Sequence, residues 1–381
     1  MGAKCSCFQD TTAEDKFGES GKNIIELEKS PILQQSYESP NKTTNFNVIV
    51  EVDFDIYQII WIQSLLRGFI ERHKAKKHYR KINVSFRKEN RKNNTSSSKR
   101  TSMDIKNSAR EIIELPLDSV PDYLTQAAKV LQSKLGHYTV QMKSEKGLKK
   151  RGPVLLENKS VYTGSWNNLD QRHGRGVQIC SDGSVYEGYW KHDMYNGKGR
   201  LIKYNGDYYE GDWKDDLFQG YGVYKLKDGS FYEGEWRYGF KYGQGTQTLH
   251  EISVYIGRFY NDEMSGDGKL AFANGNLYEG NFANGKFEGF GKFAWNDGRC
   301  YEGDWTDGKM HGKGIFKWPD GRVYDGEYET DRKHGLGTFT WPDGRVYEGE
   351  WKNDKQDGEG IYTTNIGTKK GVWKNGKRVN E

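Results

Sequence analysis

Residues 301–314 read Tyr301-Glu302-Gly303-Asp304-Trp305-Thr306-Asp307-Gly308-Lys309-Met310-His311-Gly312-Lys313-Gly314. Side chains alternate faces along a β-strand, so Tyr301, Gly303 and Trp305 share one face and Glu302 takes the other. The same spelling recurs at a fixed interval. Tyr162, Tyr186, Tyr209, Tyr232, Tyr255, Tyr278, Tyr301, Tyr324 and Tyr347 follow one another at 24 and then, seven times, 23 residues. Each opens a Tyr-x-Gly-x-aromatic unit, and the closing rings are Trp166, Trp190, Trp213, Trp236, Phe259, Phe282, Trp305, Tyr328 and Trp351. A Gly-x-Gly follows, as in Gly174/Gly176 and Gly312/Gly314. An Asp-Gly or Asn-Gly usually closes the unit, as in Asp182-Gly183 and Asp343-Gly344. These dipeptides favour the φ > 0 turns that join antiparallel strands. The pattern predicts a mainly β fold, an elongated single-layer antiparallel sheet of tandem β-hairpins over residues 152–381.

Composition agrees with that architecture. Mean hydropathy is −0.94 and hydrophobic residues make up 34%, too few aliphatics for a conventional core. Yet the 381 residues include 25 Tyr, 17 Phe, 11 Trp and 47 Gly, and so many rings do not belong to a disordered chain. A one-layer sheet has no second sheet to bury against. Stacked aromatics, at about 150–250 Å² each, can supply the missing apolar contact. Glycines between them remove side chains that would block their approach.

The repeats resemble the MORN (membrane occupation and recognition nexus) repeat, whose pattern is close to YEGEWxxGKxHGxG; Tyr301 through Gly314 follows it nearly throughout. The resemblance implies an elongated, twisted or curved sheet with an aromatic-lined groove. It also implies a scaffold, of the kind found at the cell cortex, in cilia, at the cytoskeleton or at membranes. Both ends read as partial repeats. Gly152 stands ten residues before Tyr162, as Gly176 stands before Tyr186. Gly371-x-Trp373 opens a truncated tenth unit with Lys369 in the Tyr position. Glu251-Ile252 replaces the usual Asp-Gly, and the next unit opens Tyr255-Ile256-Gly257, so altered curvature or a longer connection is expected there.

Residues 1–152 carry 27 Lys and Arg against 18 Asp and Glu, a net of +9, while the remainder is at −4. Different partners are expected for the two parts. The chain begins Met1-Gly2-Ala3-Lys4-Cys5-Ser6-Cys7. Gly2 with Ser6 fits N-myristoylation, and Cys5 and Cys7 are natural S-palmitoylation positions. One acyl chain binds membranes marginally and two or three hold stably. Residues 1–50 thus read as an acylated start and linker. Within 51–90, Ile62-Gln63-Ser64-Leu65-Leu66-Arg67-Gly68-Phe69-Ile70-Glu71-Arg72 resembles the IQ motif, with Ala75 where a bulky apolar residue is usual. That resemblance implies binding of calmodulin or a calmodulin-like EF-hand protein through Trp61, Ile62, Gln63, Leu66, Arg67, Gly68 and Arg72. A basic amphipathic helix suits an acidic partner with an apolar groove. Two other readings stand beside it. The helix packs on the repeat sheet, or it lies on an anionic membrane, since residues 67–100 hold 13 Lys and Arg against two Glu.

Residues 91–117 are rich in Asn, Ser and Lys and read as a disordered linker. In 118–151 a helix is expected from Ser119 to Leu135. Pro121 and Asp122 lie in its first turn, and Leu124, Ala127, Ala128, Leu131 and Leu135 form one stripe that covers the first edge of the sheet.

No catalytic constellation, cofactor motif or metal-ligand set emerges. His173, His311 and His334 share one turn position, which other repeats fill with Asn196, Gln219 and Asp357. Cys180 and Cys300 have no evident partner, and no apolar run approaches the roughly 18 residues that span a bilayer. The four cysteines make a reducing, cytoplasmic location the simplest reading. Two functions compete. One is a non-enzymatic scaffold, membrane-anchored and tuned by an EF-hand subunit, binding a protein ligand in the groove and no nucleic acid. The other is a direct phosphoinositide-binding module. Glu187, Glu210, Glu233, Glu279, Glu302, Asp325 and Glu348 form an acidic row opposite the rings, which favours the first. Exposed rings at Trp213, Trp236, Phe259, Phe282 and Trp305 are the expected partner contacts.

Overall fold

The computed structural model describes residues 112, 114–139 and 145–379. The acylation positions Gly2, Cys5 and Cys7 and the IQ segment lie outside the described residues. Within them, 21 strands run from β1 (Lys149–Leu155) to β21 (Lys377–Val379), and each pairs antiparallel with the next in the chain. The described residues form one open sheet, with one α-helix, α1 (Gln126–Leu135), and a 3-10 turn at Leu117–Ser119.

Two kinds of turn alternate. Within a repeat, two consecutive residues have positive φ, as at Asp307 (55°) and Gly308 (81°), the type I′ geometry that matches strand twist. Between repeats the turn is longer, and a single Gly takes the positive φ. Gly229 does so at 94° and donates its N–H to the Leu226 carbonyl at 3.2 Å. The dipeptide Asp182-Gly183 belongs to this second kind, since Gly183 alone has positive φ there. Several primed turns have no glycine at all, as at Asp215-Asp216 and Thr330-Asp331. Asp tolerates that conformation, and its carboxylate is used. Asp216 Oδ1 accepts the Tyr195 N–H at 2.7 Å, and Asp331 Oδ1 accepts the Met310 N–H at 2.8 Å. Each turn thereby ties itself to the repeat before it. Burial raises the carboxyl pKa of both residues, and those hydrogen bonds oppose the rise.

The irregular turn at His250-Glu251-Ile252 is no longer than the others. Leu249 pairs with Ser253, Glu251 takes the positive φ (57°), and the Ile252 N–H closes on the Leu249 carbonyl at 3.0 Å. A longer connection is therefore not what the missing Asp-Gly produces. One non-glycine residue in left-handed geometry keeps the repeat length.

The core lies on one face. Tyr301 lies over Gly303 and Gly314, which face each other across the hairpin, and a Cβ on Gly314 would run into its ring. The Tyr301 hydroxyl donates to the Asp304 carbonyl at 2.8 Å, and Tyr186 and Tyr347 reach the third residue on in the same way, at 2.9 and 3.1 Å. The ladder shifts register at that place, between Gly303 and Trp305. On the opposing strand Gly312 has a positive φ of 57°. Asp304 Oδ2 accepts the freed Lys313 N–H at 3.0 Å. The glycines of Gly-x-Gly thus differ in purpose, the first making the bulge and the second making room for the ring.

The tryptophans join repeats. Trp305 Nε1 donates to the Gly291 carbonyl of the preceding repeat at 3.1 Å, and its ring sits edge-to-face with Tyr278 (5.6 Å) and Tyr301 (5.1 Å). Phe282 keeps such contacts with Tyr255 (5.0 Å) and Tyr278 (5.1 Å), and as a phenyl ring it has no N–H to donate. Edge-to-face geometry sets the positive ring edge on the negative face and adds to the burial itself.

Helix α1 starts at Gln126, later than Pro121 and Asp122 suggested, because Thr125 is the N-cap: its Oγ1 accepts the Ala128 N–H at 3.2 Å. The helix covers a face and not the edge. Ala128 with Leu124, Leu131 and Leu135 packs on Val177, Ile179, Val185, Ile202 and Tyr208, on the side opposite the rings. The edge strand β1 is met instead by Glu114, which bridges to Val154, and by the Leu115 N–H, which reaches the Pro153 carbonyl at 2.6 Å.

Candidate protein-interaction surface

Trp213, Trp236, Phe259, Phe282 and Trp305 are not exposed. The most accessible of them, Trp236, is 6% exposed. Their burial has a simple physical cause. Each of these rings stands edge-to-face between the tyrosines of its own and the preceding repeat, as Trp213 does between Tyr209 (5.1 Å) and Tyr186 (5.4 Å), and a side chain from the next strand, here Phe218 at 4.8 Å, closes over both the tyrosine and its neighbour. That side chain stands nine residues after the repeat Tyr. Tyr195 stacks on Tyr186 at 3.7 Å, Phe218 on Tyr209 at 3.8 Å and Phe287 on Tyr278 at 3.8 Å. Lys241 and Lys333 take the same place, with Nζ 5.2 Å from the Tyr232 ring and 5.6 Å from the Tyr324 ring. Tyr195, Phe218 and Phe287 are half-buried, so this covering row, and not the repeat rings themselves, meets solvent.

A second aromatic stripe runs beside the turns between repeats, in the C-terminal half of the array. Phe293, Trp295, Phe316, Trp318, Phe339, Trp341 and Tyr362 follow one another at centroid distances of 4.5, 5.3, 4.4, 5.6, 4.5 and 5.9 Å. Trp318 and Trp341 are half-buried. Each tryptophan carries an arginine over its ring: Arg299 over Trp295 (5.2 Å), Arg322 over Trp318 (5.2 Å) and Arg345 over Trp341 (5.4 Å). The arginines are held by Asp297, Asp320 and Asp343 of the same turns at 2.8, 2.7 and 2.7 Å. Hydrogen bonds from Arg322 and Arg345 keep the Asp320 and Asp343 carboxyls below their usual range. The sequence signal was a Trp-x-Asp-Gly-Arg spelling at Trp295, Trp318 and Trp341.

On the other face three of the seven carboxylates of the acidic row are paired with bases one strand away. Glu210 pairs with Arg200 at 2.8 Å, Glu279 with Lys269 at 3.3 Å and Glu302 with Lys292 at 3.1 Å. Glu187 is buried and accepts the Tyr138 N–H and the Gln132 side-chain N–H, both at 3.2 Å, which fastens the α1 region to the sheet. Between the carboxylates Tyr221, Ile256, Phe290 and Leu336 are exposed. The shared histidine position lies at the start of a strand and touches the next repeat's turn. Gln219 there accepts the Tyr238 N–H at 3.2 Å, and Glu288 accepts the Asp307 N–H at 3.0 Å. Among the described residues no group of His, Cys, Asp and Glu is placed to hold a metal ion, and Cys180 and Cys300 are not in disulfides. No helix of the described residues is long and apolar enough to cross a membrane.

Hairpins that stack by period, with aromatic rows on one face, define a tandem-repeat protein of the protein-binding or membrane-associated kind. The MORN repeat profile matches nine segments, from 162–185 to 347–369, that together cover just over half of the chain, and each begins at one of the nine repeat tyrosines. The chain belongs to the MORN-repeat family. The fourth matched segment, 232–249, ends where the irregular turn begins. Comparison with curated proteins gave no match. Among solved structures, the wild-type TCP10 domain of Danio rerio CPAP, in complex with a peptide of Danio rerio STIL, is 13% identical over 55% of this chain and 92% of that one, with a TM-score of 0.31. The TCP10c domain of Drosophila melanogaster Sas-4 is 13% identical over 54% and 100%, with a TM-score of 0.18.

Proposed function

We propose that this protein is a non-enzymatic, membrane-anchored scaffold that holds protein partners on the aromatic face of its array. The observation that supports this reading is the half-exposed aromatic surface, built from the covering row and from Trp318 and Trp341 of the second stripe, on a backbone locked by Tyr–Trp contacts. A preformed apolar surface costs little ordering when a peptide binds. Acyl chains on Gly2, Cys5 and Cys7 supply the membrane hold, and the IQ segment around Ile62, Gln63, Arg67 and Arg72 recruits a calmodulin-like EF-hand protein. This places the protein on the cytoplasmic side of a membrane, at the cell cortex, cilium or cytoskeleton. The test is sedimentation with vesicles containing phosphoinositides, at physiological salt, of the unacylated fragment 112–381. The fragment is expected to stay in the supernatant, while the acylated full chain pellets and its Gly2→Ala variant does not. Salt-sensitive pelleting of the fragment would put direct phosphoinositide binding in place of this reading.

A further inference from the structure

The two ends of the Tyr–Trp ladder are closed differently. In mid-array a tryptophan lies between two tyrosines, as Trp351 does between Tyr324 (5.2 Å) and Tyr347 (5.3 Å). Trp166 at the first end and Trp373 at the last each have one such tyrosine, Tyr162 at 5.2 Å and Tyr347 at 5.1 Å. In both places an arginine stands near the vacant side. Arg151 lies 5.2 Å over Trp166, pairs with Asp170 at 2.6 Å and is largely buried. That end is sealed and neutral. Arg378 lies 6.0 Å from the Trp373 ring and donates only to a neutral group, the Lys370 carbonyl, at 2.8 Å.

Beside Trp373 the tenth repeat-tyrosine position holds Lys369, whose side chain is exposed, and Arg378, nine residues on, lies over Gly371 where that tyrosine ring would rest. What remains is an open pocket of about 330 Å³ lined by Trp341, Gln356, Tyr362, Lys369, Trp373 and Arg378. Three of these are rings and two are cations. None is acidic, and no carboxylate of the described residues pairs with Lys369 or Arg378. The nearby Arg345 is already engaged by Asp343 at 2.7 Å and reaches the Tyr362 hydroxyl at 3.2 Å. The aromatic stripe ends in this pocket, since Tyr362 is its last ring and stands 5.9 Å from Trp341.

We propose that this pocket binds an aromatic side chain presented within an acidic segment of a partner protein. The ring would enter the pocket between Trp373, Trp341 and Tyr362, next to the Arg378 guanidinium that lies over Gly371. The flanking carboxylates would meet Lys369 and Arg378, neither of which pairs with a carboxylate among the described residues. Charge-assisted bonds of this kind are stronger than neutral ones. The proposal rests on the protein-binding reading of the array and adds to it the site and the chemistry of the ligand.

The test uses the full chain and fluorescein-labelled dodecapeptides read by anisotropy. One is acidic with a single central Trp, a second has Ala for the Trp, and a third has Lys for each Glu. Only the first is expected to bind. Lys369→Tyr sets a ring beside Trp373 with Arg378 able to cover it, as Lys333 covers Tyr324, so it should block the pocket and weaken that binding about tenfold or more without lowering the unfolding temperature. Arg378→Glu should weaken it as well. Equal binding of the first two peptides, or binding unchanged in Lys369→Tyr, overturns the proposal. So does self-association of the wild-type chain that Lys369→Tyr abolishes, which would make a second copy the occupant. If partner proteins are retained equally by wild type and Lys369→Tyr, the pocket assignment fails while the broader protein-binding reading stands.

Discussion

The two faces of this sheet are made from alternate residues of the same strands, yet they solve opposite problems. On the ring face Tyr301 is fully buried although no second sheet covers it. Glycines let the ring lie flat, a bulge offers it a carbonyl, and the next strand closes over it. On the other face Glu302 and Lys292 stay substantially in water, 47% and 23% exposed, and meet at 3.1 Å. Among the described residues that face gains a lid only at the start of the array, where α1 packs on Val185 and Ile202. One side therefore carries the stability and the other is free to vary. A repeat array whose units touch only their neighbours needs its strongest contacts to recur in every unit.

The largest break in this asymmetry should come from pH. Burial raises the hydroxyl pKa of all nine repeat tyrosines, to about 12 for Tyr347 from an ordinary value of 10.0. The native state then keeps protons that the unfolded state has released. Stability is whole below pH 10 and falls as pH rises toward the folded pKa values, with every repeat contributing. Circular dichroism followed against pH should show cooperative loss of the array above about pH 10. Titration of the absorbance of all 25 tyrosines near 10 with the sheet intact would contradict the buried-hydroxyl account.

A single substitution on the same face comes next. A Cβ at Gly303 would fall within contact distance of the Lys313 carbonyl and of Gly314, both main chain, so nothing can swing aside. Gly303→Ala should cost about 3 kcal/mol or more in denaturant unfolding. A loss comparable to that of an ordinary surface substitution would mean the Tyr–Gly stack is looser than described.

The smallest effect belongs to the opposite face. Glu302→Gln removes an exposed ion pair and should change stability by no more than about 0.5 kcal/mol, less still at high salt. A loss near that of Gly303→Ala would show that the charged face carries load as well.

Much of this was legible in the sequence because the stabilising contacts recur at a fixed chain separation. The 23-residue period, the hairpins, and the common face of Tyr301, Gly303 and Trp305 all follow from spacing and from the two-residue alternation of a strand. The sequence could also place the acidic row on the opposite face. Three things needed the folded chain. Gly312 and Gly314 look alike as letters, but only their positions relative to the Tyr301 ring and the bulge give them different tasks. The burial of Trp213 and Trp236 depends on side chains of neighbouring strands, such as Phe218 at 4.8 and 5.1 Å from the two rings, and a period does not say which ring lies beneath which. Helix α1 was foreseen as an element but not its seat. Its stripe of Leu124, Ala128, Leu131 and Leu135 states only that one side must be buried. The apolar patch that receives it, Val177, Ile179, Val185, Ile202 and Tyr208, exists only once four strands are side by side.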